Sequence, residues 1–100
     1  MSVKVFKLIN GEELIATVSA QSDTEYHLTD PTTIVMQQTE RGVGVALMPY
    51  MPYAGKQVTL NKSAVASEGS PLVEMQNEYS RVTGSGIQIV SSSALAGLSS

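Results

Sequence analysis

Three side chains able to do chemistry alternate early in the chain, Asp23, Glu25 and His27, with Asp30 three residues further on. On an extended strand, residues at i, i+2 and i+4 share a face. Two carboxylates and an imidazole would then stand side by side, the residue types of a metal site or an acid–base pair. The rest of the sequence completes neither. His27 is the one histidine of the chain and there is no cysteine, so the donors of a zinc or other transition-metal centre are missing. Carboxylates beside the polar turn Ser22-Asp23-Thr24 are ordinary solvated groups. No Gly-rich phosphate loop, nucleophile elbow or zinc-ligand spacing occurs. The sequence therefore predicts a protein that is not an enzyme and carries no cofactor.

A second distinctive group is the doubled triplet Met48-Pro49-Tyr50, Met51-Pro52-Tyr53. Two prolines exclude a regular central strand, because proline has no N–H to give to a ladder. Methionine adapts to irregular partners and tyrosine supplies rigid contact area, so the segment reads as a subunit contact or a ligand platform. A strand edge blunted by proline is the alternative.

The elements that must position these residues are mostly strands. Residues 3–18 read as a hairpin, with Val3, Val5 and Ile9 alternating against Phe6 and Leu8, then Asn10-Gly11, then Leu14, Ala16 and Val18. Asn-Gly between apolar runs suits a tight turn because both residues accept positive φ. Both faces of the first strand are apolar, which predicts cover on both sides. The chain resumes at Tyr26-His27-Leu28-Thr29 and continues past Asp30-Pro31 to Ile34-Val35-Met36, with the proline marking a bulge, bend or edge. Val43, Val45 and Leu47 follow the turn Thr39-Glu40-Arg41-Gly42, and a fifth strand carries Val58 and Leu60 through Asn61-Lys62-Ser63 to Ala64-Val65-Ala66. Ser67-Glu68-Gly69 reads as a turn. Ser70 then suits an N-cap and Pro71 the first helical position, and Leu72, Met75, Tyr79 and Val82 recur at helical spacing up to a C-cap at Gly84. Beyond it, Ile87-Gln88-Ile89-Val90 is read as a short strand or as unordered chain, and residues 91–100, rich in Ser, Ala and Gly, as a mobile tail.

One domain over residues 1–90 accounts for the whole pattern, because 100 residues are too few for two cores. Hydrophobic residues make up 42%, only five are aromatic and none is Trp, so a monomer's core is marginal. Disulfides are excluded and metal nearly so, which leaves self-association as the remedy. The formal net charge of −3 offers phosphate no general attraction, so any nucleic-acid contact must be local. The N-terminus has no signal-peptide pattern and no run approaches the roughly 20 apolar residues of a membrane span. The expectation is a soluble cytoplasmic protein with no membrane partner.

Five short strands and one helix suit a strongly bent, partly open barrel, an architecture common to SH3-like, OB and Sm-like folds. Within that set the chain resembles the Sm-like (Lsm) family, especially its short phage-encoded members. The first family motif, a Gly-bearing hairpin followed by Asp-x-x-hydrophobic-Asn-hydrophobic, is similar to Asn10-Gly11 and then Asp23-Thr24-Glu25-Tyr26-His27-Leu28. The second, hydrophobic-Arg-Gly-x-x-hydrophobic, is similar to Leu60-Asn61-Lys62-Ser63-Ala64-Val65. The likeness spans residues 3–66. His27 stands where the family has Asn, Asn61-Lys62 replaces Arg-Gly, and the helix, at residues 71–83, follows the barrel instead of preceding it. The resemblance implies a homo-oligomeric ring of about five to seven subunits joined by edge strands, in the host cytoplasm if phage-encoded. It also implies single-stranded RNA at a site made by Asp23, Tyr26, His27, Asn61 and Lys62. In that site Tyr26 would stack on a base, while His27, Asn61 and Lys62 would supply hydrogen bonds and a charge. A ring that serves structure or binds proteins, with no RNA, is the rival expectation, and the net acidity favours it.

Overall fold

A computed structural model describes residues 2–83. Asn10-Gly11 turns the chain as its residue types require: Gly11 has φ 93°, and the Asn10 side chain accepts from the Glu12 N–H at 3.0 Å. The turn joins β1 (Ser2–Leu8) to β2 (Glu13–Gln21) in antiparallel register, with Phe6 opposite Leu14 and Lys4 opposite Ala16.

The long β3 (Glu25–Thr39) runs antiparallel to β2 along both of its halves. Between Ile15↔Thr32 and Thr17↔Thr29 it carries one residue more than β2 does. That bulge holds Asp30, at φ 52°, followed by the buried Pro31, so the irregularity predicted from the proline is present. Beyond the bulge β3 pairs with β4 (Gly42–Pro49), and before it with β5 (Gln57–Asn61). A 3₁₀ turn (Lys62–Ala64) leads to β6 (Val65–Gly69), which returns to pair with β1. The chain ends its described part in α1 (Val73–Thr83).

The result is a mostly β architecture, an open antiparallel sheet of six strands with a path β4-β3-β2-β1-β6 and β5 alongside β3. Three expectations change. The strands number six and not five, because the 3₁₀ turn breaks the expected fifth strand into β5 against β3 and β6 against β1, while residues 50–56 form a loop between β4 and β5. The loop's base is closed by bonds from Tyr50 N–H to Pro31 C=O and from Asp30 N–H to Lys56 C=O. Ser67-Glu68-Gly69 is strand, laddered to Lys7, Phe6 and Val5, so the barrel strands run past residue 66. That extension delays the helix: its first turn is closed by Gln76 N–H to Leu72 C=O at 2.9 Å, and neither Ser70 nor Pro71 fills its expected capping role. The C-cap at Gly84, the short strand at 87–90 and the tail lie outside the described residues.

One face of the sheet holds the main core, Phe6, Leu8, Leu14, Ala16, Val18, Tyr26, Leu28 and Leu60. Aliphatic side chains on alternate strand positions converge there. On the opposite face Ile15 is fully buried, and α1 is anchored there by Tyr79. The Tyr79 ring is 3% exposed. Its hydroxyl donates to the carbonyls of Thr29 and Asp30 at 3.0 and 3.1 Å and meets Thr17 Oγ1 at 3.0 Å. The two carbonyls lie beside and within the β3 bulge, where the regular ladder is interrupted. Tyr79→Phe keeps the ring but strands these acceptors, and is expected to cost about 1–3 kcal/mol in urea unfolding.

Candidate nucleic-acid interface

The antiparallel ladder between β3 and β5 brings the two motif segments together. Glu25 lies opposite Asn61, Tyr26 opposite Leu60 and His27 opposite Thr59. The Lys62 N–H donates to the Thr24 carbonyl at 2.8 Å, closing the junction where β5 ends.

The five predicted site residues nevertheless fall into separate groups. Directly opposed residues of an antiparallel pair share a face, and neighbours along a strand do not. Tyr26 therefore points with Leu60 into the core, while His27, Glu25 and Asn61 point to the other side. Asp23 is exposed in the turn before β3. A base stacked on Tyr26 would be out of reach of His27 and Asn61, so the single pocket expected from the resemblance does not form within one chain.

Tyr26 and Lys62 do meet. The Lys62 ammonium stands 4.8 Å from the centroid of the Tyr26 ring and donates to Gln21 Oε1 at 2.9 Å. Tyr26 is 6% exposed, with the Phe6 ring at a centroid distance of 5.0 Å. Its hydroxyl donates to the Glu68 carboxylate at 2.8 and 2.9 Å, and Glu68 also pairs with Lys4 at 3.6 Å. A recess of about 400 Å³ opens beside this cluster, bounded by Tyr26, Lys62, Val65, Ala66, Ser67 and Glu68. Gln21 and Glu68 were not predicted as site residues. Glu68 carried no signal, because its role depends on the pairing of β6 with β1.

The hydrogen bond to Glu68 raises the Tyr26 pKa above its ordinary value, and burial and the carboxylate's charge act the same way. For Tyr79 burial is the main cause of a shift in the same direction. A raised folded pKa means that the folded state holds the phenolic proton more tightly than the unfolded chain does. The associated stability is complete below the unfolded value of about 10 and is lost as pH rises through the folded value. Urea midpoints should fall between pH 9 and pH 11, by about the same small amount in several buffers, and Tyr26→Phe should flatten that fall.

Among the described residues no three His, Cys, Asp or Glu side chains come together as a metal site, and no helix is long and apolar enough to cross a membrane. No protein-family model matches the sequence, and no curated protein is significantly similar to it.

Proposed function

We propose that the protein is a subunit of a homo-oligomeric ring of the Sm-like kind, serving as a structural or adaptor ring for protein partners. One observation carries the reading: among the described residues the sheet is open, with β4 and β5 each laddered to β3 alone and β6 to β1 alone. Unpaired edges are templates for another strand. A head-to-tail pairing of different edges builds a ring wherever the rotation closes. The apolar side chains of Val43, Val45 and Met48 stand exposed on the β4 edge, where a solvated edge would carry charge. The protein-binding role is supported by the net charge of −3 and by the Glu68 carboxylate in the wall of the Tyr26 recess, both unfavourable to phosphate.

Single-stranded RNA is a second reading, favoured by the Lys62 ammonium over the Tyr26 ring beside an open recess. Titrating a labelled short single-stranded RNA with the protein at low and at moderate salt separates the two. The adaptor reading expects no binding at either. Binding with a shallow salt dependence, reduced further by Lys62→Ala, would overturn it in favour of RNA.

A further inference from the structure

We infer that the groove between the sheet and the first turn of α1 binds a short, neutral, apolar stretch of polypeptide, with Lys7 and Glu13 holding its backbone. The groove is complete within one chain. The inference rests on the adaptor reading for the class of partner and adds to it the place and the chemistry of the contact.

The floor lies on the sheet face opposite the main core and can be followed across the ladders. Lys7 opposes both Glu13 and Ser67, Glu13 opposes Ile34, Met36 opposes Val45 and Val5 opposes Gly69. With a wall of Pro71, Leu72 and Met75, where the chain enters α1, these residues bound about 530 Å³, inside the range of about 300–1,000 Å³ usual for ligand clefts. The apolar members are bare: Met36 is 71%, Val45 52% and Leu72 75% exposed. Three large apolar side chains around one depression therefore face water, and covering them is favourable.

The charged pair in the floor narrows the class of ligand. The Lys7 ammonium and the Glu13 carboxylate stand 3.8 Å apart, beyond hydrogen-bonding distance, so a donor and an acceptor lie side by side with capacity to spare. Glu68 also borders the groove, but its carboxylate is turned to the other face, where the Tyr26 hydroxyl donates to it. A hydrocarbon ligand would bury the Lys7–Glu13 pair without replacing its water. An anion or a cation would be attracted by one member and repelled by the other. A peptide unit suits both. Its C=O accepts from Lys7 and its N–H donates to Glu13, while apolar side chains beside it cover Met36 and Val45 on the floor and Leu72 and Met75 on the wall.

The probe is N-acetyl-leucyl-leucine methylamide, a neutral dipeptide capped at both ends, titrated to millimolar concentration into the full chain labelled at the methyl groups of Ile, Leu, Val and Met. Saturable methyl shifts are expected at Met36, Val45, Leu72 and Met75. Lys7→Met combined with Glu13→Met keeps the floor covered and removes the pair, and should weaken binding about tenfold; Val45→Asp should weaken it by at least as much. Thermal melts verify that each variant is folded, and Glu13→Met alone replaces a double variant that is not. Hexanoate, an apolar chain with a single charge, should bind about tenfold more weakly than the peptide. Absent shifts, shifts centred elsewhere, a folded double variant that binds like the parent, or hexanoate binding as tightly as the peptide would each overturn the inference. None of these outcomes touches the adaptor reading, which falls to the RNA titration alone.

Discussion

Tyr26→Ala is expected to destabilise the protein by about 3–5 kcal/mol, a large fraction of what a domain of this size has. The ring packs on Phe6 in the main core, its outer face is covered by the Lys62 ammonium, and its hydroxyl ties β3 to β6 through Glu68. Removing it opens a cavity, leaves Lys62 over empty space and frees the Glu68 carboxylate. Tyr26→Phe retains the packing and should cost only about 1 kcal/mol. Urea unfolding of the two variants reads the difference. A Tyr26→Ala protein as stable as the parent would show that the ring does not hold the core, and would return the residue to the role of an open base-stacking platform.

Deleting α1 should have an effect of similar size. A chain ending at Gly69 loses the Tyr79 ring, its bonds to Thr17, Thr29 and Asp30, and the element anchored on the face where Ile15 is fully buried. Exposing an Ile-sized side chain and losing the burial that the tyrosine ring contributes costs several kcal/mol by area alone, about 1.5–3 for each. The Asp30 backbone, held at positive φ beside Pro31, would also lose the hydroxyl that bonds its carbonyl. The shortened chain is expected to melt without a cooperative transition. A sharp melt near the parent's temperature would mean that the sheet is self-sufficient and the helix serves only to wall the groove.

Much of the architecture was legible because it follows from local chemistry. Asn10-Gly11 could scarcely be other than a turn, the alternation of Leu14, Ala16 and Val18 marked the buried face of β2, and Pro31 marked the irregularity in β3. Helical spacing singled out Tyr79, the one buried residue of α1. The break in the fifth strand was hidden, because Lys62-Ser63-Ala64 has no Gly or Pro to mark the 3₁₀ turn that separates β5 from β6. The strand at Ser67-Glu68-Gly69 was hidden for another reason: it is held by backbone pairing to β1, to which side-chain type is nearly indifferent. The candidate site was legible in its parts and not in its grouping. The adjacency of Tyr26 and Lys62 follows from the two motifs meeting, but successive residues of a strand face opposite ways, and that period separates Tyr26 from His27.

The central claim is that this chain builds a ring from its own free edges, and the mass of the native particle tests it most directly. Light scattering on the protein eluting from a sizing column at micromolar concentration should give one species at about five to seven times the 10.6 kDa of a single chain. That mass should not change on tenfold dilution within the micromolar range. A particle of one chain mass, or a mass that climbs continuously with concentration, would contradict the account.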